Sequence, residues 1–155
     1  MKLVKLAMCV LFSMSMVQPA WANQNLALSH NLTLFSCQTK AGEKISLKSQ
    51  RQANGYVLSF HAGKYMAEAA ADSAYFAYTS NSEALSFESG KYIYEMAQFH
   101  DGDAGVTITS SQTGKEIQYY ECWDDLDMRL NRISPHYFKP YTDEWENRLQ
   151  RRFLK

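Results

Sequence analysis

Residues 34–47, LFSCQTKAGEKISL, read as two short strands joined by a tight turn, and that reading decides the fold. In the second strand Ile45 and Leu47 point one way and Lys44, Ser46 and Lys48 the other, the period of two expected of a half-buried strand. In the first, Leu32, Leu34 and Ser36 alternate with Thr33, Phe35 and Cys37. The same grammar continues outward. ANG turns the chain into YVLSF, with Tyr56, Leu58 and Phe60 on one face, and YFAYT and ALSFES follow around the polar residues 80–82. KYIYEMAQF places Tyr92, Tyr94 and Met96 together; HDGD and QTGK then turn the chain into GVTITS and EIQYYEC. Such runs, separated by Gly, Asn and Asp at short intervals, predict a mainly β protein: a single antiparallel β-sandwich or barrel. KYMAEAAADSA is ambiguous, since its alanines favour helix while its length and position suit an edge strand and loop.

The two ends read differently. MKLVKLAMCVLFSMSMVQPAWANQ carries Lys2 and Lys5, then an uncharged apolar run from Leu6 to Val17, then Pro19 and small residues around Trp21. This is the layout of a signal peptide over 1–22, cleaved after Ala22, and it predicts export to the periplasm. Without Lys2 and Lys5 there remain 14 basic and 16 acidic side chains, a balance that argues against nucleic acid or an anionic membrane as partner. No further apolar run is long enough for stable membrane insertion.

After the signal only Cys37 and Cys122 remain, and an even count in an exported chain predicts a disulfide between them, closing a loop of about 85 residues. Loop entropy assigns such a bridge roughly 4 kcal/mol. An intermolecular bridge or a reactive thiol pair is the alternative, although no C-x-x-C spacing is present. The β domain is therefore placed at 23–122, closed by its own bridge.

A helical C-terminal appendage is expected over 123–155. Trp123, Leu126, Leu130 and Ile133 recur at spacings of three and four, and Pro135 and Pro140 act as breakers. A second helix is expected from Thr142, with Asp143, Glu144 and Glu146 in its first turn, Arg148, Arg151, Arg152 and Lys155 toward its end, and a stripe of Trp145, Leu149 and Phe153.

FSCQTKAGEKISL, YVLSF, GKYIYEMAQF and GVTITSSQTGKEIQYYEC together resemble a family of small, uncharacterised bacterial periplasmic β-proteins with one disulfide. The resemblance covers 35–122 and implies fold and compartment, with no activity attached. More loosely, the chain is similar to the periplasmic lysozyme inhibitors, whose Ser-Gly-x-x-Tyr loop enters the enzyme's cleft. The counterpart here is Ser89-Gly90-Lys91-Tyr92-Ile93-Tyr94, which departs from that pattern by placing Ile93 where the tyrosine belongs.

No metal or cofactor site is expected: His30, His61, His100 and His136 are scattered, and HDGD is explained by a hairpin turn. The closely spaced Asp124, Asp125 and Asp127 read as a solvated helix start. The chain contains neither a G-x-S-x-G nor an H-E-x-x-H motif nor a phosphate-cradling loop. Of Glu83, Glu88, Glu95, Glu116 and Glu121, most are expected to be outward and solvated rather than a glycosidase pair. The salient composition is aromatic, with 10 tyrosines, many in pairs. These readings converge on a non-enzymatic periplasmic binding protein. Its contact surface is expected at Ser89, Lys91, Tyr92 and Tyr94, and its partner is a periplasmic or foreign cell-wall hydrolase such as lysozyme. A small apolar-ligand carrier and an envelope structural protein are the competing classes.

Overall fold

The computed structural model describes residues 26–78 and 82–142. Eleven strands are formed in these residues: β1 (Leu32–Gln38), β2 (Lys44–Gln52), β3 (Gly55–Ala62), β4 (Tyr65–Ala70), β5 (Tyr75–Tyr78), β6 (Ser82–Ser89), β7 (Tyr92–Phe99), β8 (Ala104–Ser110), β9 (Glu116–Glu121), β10 (Asp124–Met128) and β11 (Lys139–Pro140). They make two sheets, ordered β10-β1-β2-β3-β4 and β11-β5-β6-β7-β8-β9. All pairs are antiparallel except β11 with β5. The chain meanders through each sheet and changes sheets between β4 and β5, between β9 and β10 and again between β10 and β11, so the mainly β, sandwich-like expectation is met.

Alternation positions the core. Ile45 and Leu47 of β2, Leu58 and Phe60 of β3, Leu85 and Phe87 of β6, Tyr94 and Met96 of β7, and Val106 and Ile108 of β8 are all buried between the sheets. In β1 the alternation breaks, for Leu34 and Phe35 are both fully buried. The register with β2 shifts between Thr33 and Phe35, and the bulge turns two successive side chains inward.

The two sheets are tied to each other at their strand ends. The turn joining β6 and β7 lies against edge strand β4, where Ser89 Oγ donates to the Glu68 carbonyl at 2.9 Å. The far end of β9 reaches β1, and Cys37 is bonded to Cys122, with Cα atoms 5.6 Å apart. Strand ends of one sheet thus meet strands of the other.

The ambiguous KYMAEAAADSA resolves into β4 and a 3-10 turn at Ala71–Ser73. The helix expected over Trp123–Ile133 does not form. β10 pairs instead with β1, and 3-10 turns follow at Leu130–Arg132 and Pro135–Tyr137. The disulfide sets Trp123 beside the open edge of β1, where its N–H donates to the Gln38 carbonyl at 2.8 Å. Ladder bonds to a waiting edge outweigh a short stripe that contains three aspartates, poor residues for a helix interior. Leu130 and Ile133 are fully buried as the stripe requires, whereas Trp123 and Leu126 are exposed. Asp124, Asp125 and Asp127 consequently charge an edge strand, which protects it from further pairing. Residues 123–142 are therefore woven into both sheets, through β10 and β11. The second expected helix, with Trp145, Leu149 and Phe153, and the signal segment 1–22 lie outside the described residues. Among the described residues no helix is long and apolar enough to cross a membrane.

Candidate functional site

The sequence-predicted site lies on the β6–β7 hairpin. Ser89 pairs with Tyr92, leaving Gly90 and Lys91 as a two-residue turn. Gly90 has φ +61°, a left-handed value that glycine adopts without steric cost. The structure gives this hairpin a twin. Ala62 pairs with Tyr65, leaving Gly63 at φ +54° and Lys64 as the turn between β3 and β4. The tripeptide Gly-Lys-Tyr thus occurs at both turns, 63–65 and 90–92.

The twins meet at one corner of the molecule. Lys64 Nζ lies 5.2 Å from the centre of the Tyr65 ring, and Lys91 Nζ lies 5.5 Å from that of Tyr92. The two rings contact each other edge to face with centroids 6.0 Å apart. Both lysines are exposed, Tyr92 is half-buried and Tyr65 is buried. A third cation stands alongside, because the Ser111 N–H donates to the Lys91 carbonyl at 2.9 Å and holds the β8–β9 turn, which carries Lys115, against the β6–β7 turn.

Tyr94 belongs to the support rather than the surface. It is 2 % exposed, stacks on Phe87 at 5.4 Å and 19°, and touches Phe60 and Tyr92. Burial pushes its hydroxyl pKa up, with the neighbouring Tyr92 and Tyr65 acting in the same direction. Tyr120 is likewise buried and raised, by burial first and then by Glu43 and Tyr65. Ser89 spends its hydroxyl on Glu68 and ties the hairpin down. Ile93 faces the opposite side of β7 from Tyr92 and Tyr94 and is itself buried. Of the four predicted contact residues, Lys91 and Tyr92 offer surface, while Ser89 and Tyr94 fix their position. Lys64 and Tyr65 were missed, although the repeated Gly-Lys-Tyr was visible.

The glutamates divide. Glu83 does not face solvent: it points inward at the start of β6, 3 % exposed, and its Oε2 has no hydrogen-bond partner among the described residues. Burial raises its pKa, against the opposing pull of His100 and of the Asn131 backbone N–H. Glu95 lies on the outer face between Ser86 and Thr107, half-buried and raised by desolvation. Among the described residues no three His, Cys, Asp or Glu side chains gather as metal ligands would. No family model, curated protein or solved structure matches this chain.

Proposed function

We propose that the protein is an exported, non-enzymatic binding protein of the bacterial periplasm that captures a partner with its paired Gly-Lys-Tyr hairpins. The most concrete form of this reading is plugging the cleft of a cell-wall hydrolase of the lysozyme kind. The observation that carries it is the array Lys64–Tyr65–Tyr92–Lys91, two exposed cations held over two contacting rings at the tips of adjacent hairpins. A glycosidase cleft is lined by carboxylates, and cations presented on rigid aromatic supports complement it in charge while the rings exclude water. Rigidity matters because side chains already ordered before docking lose less entropy in the complex. The disulfide and the resemblance to periplasmic β-proteins support the compartment.

The carrier reading has less support. Phe35, Phe60, Phe87, Leu85, Met96 and Ile108 fill the space between the sheets at 1 % exposure or below, so a guest would have to displace the core.

The test is to immobilise the chain from Asn23 onward, pass a panel of lysozymes and a periplasmic extract over it, and identify what is retained. Lys64→Ala combined with Lys91→Ala is expected to weaken capture of the retained hydrolase at least about ten-fold, the scale of a lost rim of charge at an interface centre. Retention of no hydrolase, or equal retention by the double variant, overturns the proposal.

A further inference from the structure

The opposite end of β3 carries a different surface. A cleft of about 350 Å³ opens there between the β2–β3 turn, the Ala71–Ser73 turn and the Pro135–Tyr137 turn. Its walls are the rings of Tyr56, Tyr137 and His136 and the polar side chains of Gln52, Asn54 and Asp72. Tyr56 and Tyr137 meet edge to face with centroids 5.7 Å apart, and His136 lies 4.0 Å from Tyr137. Ser134 Oγ, 2.6 Å from His136 Nδ1, fixes the imidazole in the cleft wall.

Three properties restrict what such a cleft accepts. The amides of Gln52 and Asn54, the Asp72 carboxylate and the two tyrosine hydroxyls form no side-chain hydrogen bond with other described residues, so donors and acceptors converge without protein partners. Among the described residues no lysine or arginine lines the cleft, and Asp72, the carboxylate that does, repels anions. The rings supply flat, amphipathic area, and Gln52, Asn54 and Asp72 set polar groups around it. Planar groups that both donate and accept, set around aromatic rings, suit a ligand with an apolar ring face and an equatorial belt of hydroxyls.

We infer that this cleft binds a neutral saccharide of one or two rings, a site separate from the lysine-bearing corner. The volume lies at the small end of ligand pockets, which sets the size.

The test is a titration of the ¹⁵N-labelled chain from Asn23 onward with N,N′-diacetylchitobiose, cellobiose and maltose, alongside decanoate and inorganic phosphate. Saturable amide shifts confined to 52–57, 70–72 and 134–137 are expected with at least one disaccharide. Asn54→Ala with Asp72→Ala is expected to weaken that binding about ten-fold or more; both positions are exposed, so the fold is retained. Lys91→Ala is expected to leave it unchanged, which separates this site from the hairpin surface. The inference is overturned if none of the three sugars shifts these amides, if decanoate or phosphate saturates the cleft instead, or if the double variant binds as the parent does.

Discussion

The two ends of β3 use the same residue in opposite ways. At the Gly63-Lys64 end, tyrosines sit beneath the surface: Tyr65, Tyr94 and Tyr120 are buried and brace exposed lysines. At the Tyr56 end, tyrosines form the surface itself, the walls of an open cleft whose polar groups are unpaired. The partner proposed above would meet the first end as a charged corner. The second suits a small ligand that is enclosed. The difference teaches that tyrosine count indicates neither; depth decides, and Tyr56, on the same face of β3 as Leu58 and Phe60, is shallower because it stands at the strand's end.

The largest expected effect removes the staple that supports both ends. Replacing Cys37 and Cys122 by serine should cost about 4 kcal/mol in urea denaturation, the loop-entropy value for their separation of 85 residues. A loss below about 1 kcal/mol would show that the sheets hold their packing without it. Next, Tyr94→Ala should cost about 3 kcal/mol or more, since it empties a core position beneath the lysine corner. It should also weaken partner capture, whereas the cleft's sugar binding should survive at temperatures where the variant is folded. Loss of both in a folded variant would erase the distinction between the ends.

A smaller effect concerns pH. Glu83 holds its proton more tightly in the fold than in the unfolded chain, because burial raises its pKa above the ordinary 4.5. Its stabilising share is complete below that ordinary value and is lost as pH rises through the raised one. Glu95, raised for the same reason, acts with the same sign. Melting temperature measured from pH 4 to pH 7 should therefore fall less steeply in Glu83→Gln than in the parent, and Glu83→Gln should be the more stable at pH 7. An identical slope in both proteins would remove Glu83 as a source. The smallest effect is that of Lys64→Ala with Lys91→Ala on stability, within about 0.5 kcal/mol by thermal melting, because both side chains are exposed. A larger loss would make the lysines structural parts of the corner.

Much of this could be read from the chain before its fold was known. The alternation in KISLKS, YVLSF and YIYEM gave the buried faces of β2, β3 and β7, and two cysteines allowed one internal bridge. The bulge at Leu34 and Phe35 was not legible, because both faces of β1 look equally apolar. The stripe Trp123-Leu126-Leu130-Ile133 misled: Leu130 and Ile133 are buried by 3-10 turns that bond to Leu26, not by a helix. The Ser89–Tyr94 hairpin is marked by its own local motif, whereas its twin is marked only by the recurrence of Gly-Lys-Tyr at 63–65 and 90–92, whose meeting in space no local pattern specifies. The cleft had no sequence signal at all, since its residues come from three separate turns, at 52–57, 70–72 and 136–137, that only the fold brings together.

Local chemistry, then, determined which segments pair as strands, where glycine turns them and which cysteines are at hand, because period-two patterning and left-handed turns act over a few neighbouring residues. Tertiary structure alone decided that the edge of β1 would capture Asp124–Met128, that two Gly-Lys-Tyr turns would meet, and that Tyr56 and Tyr137 would meet edge to face in the wall of a cleft. Those outcomes depend on how one sheet packs on the other, and that packing is set by side chains far apart in the chain competing for the same buried space.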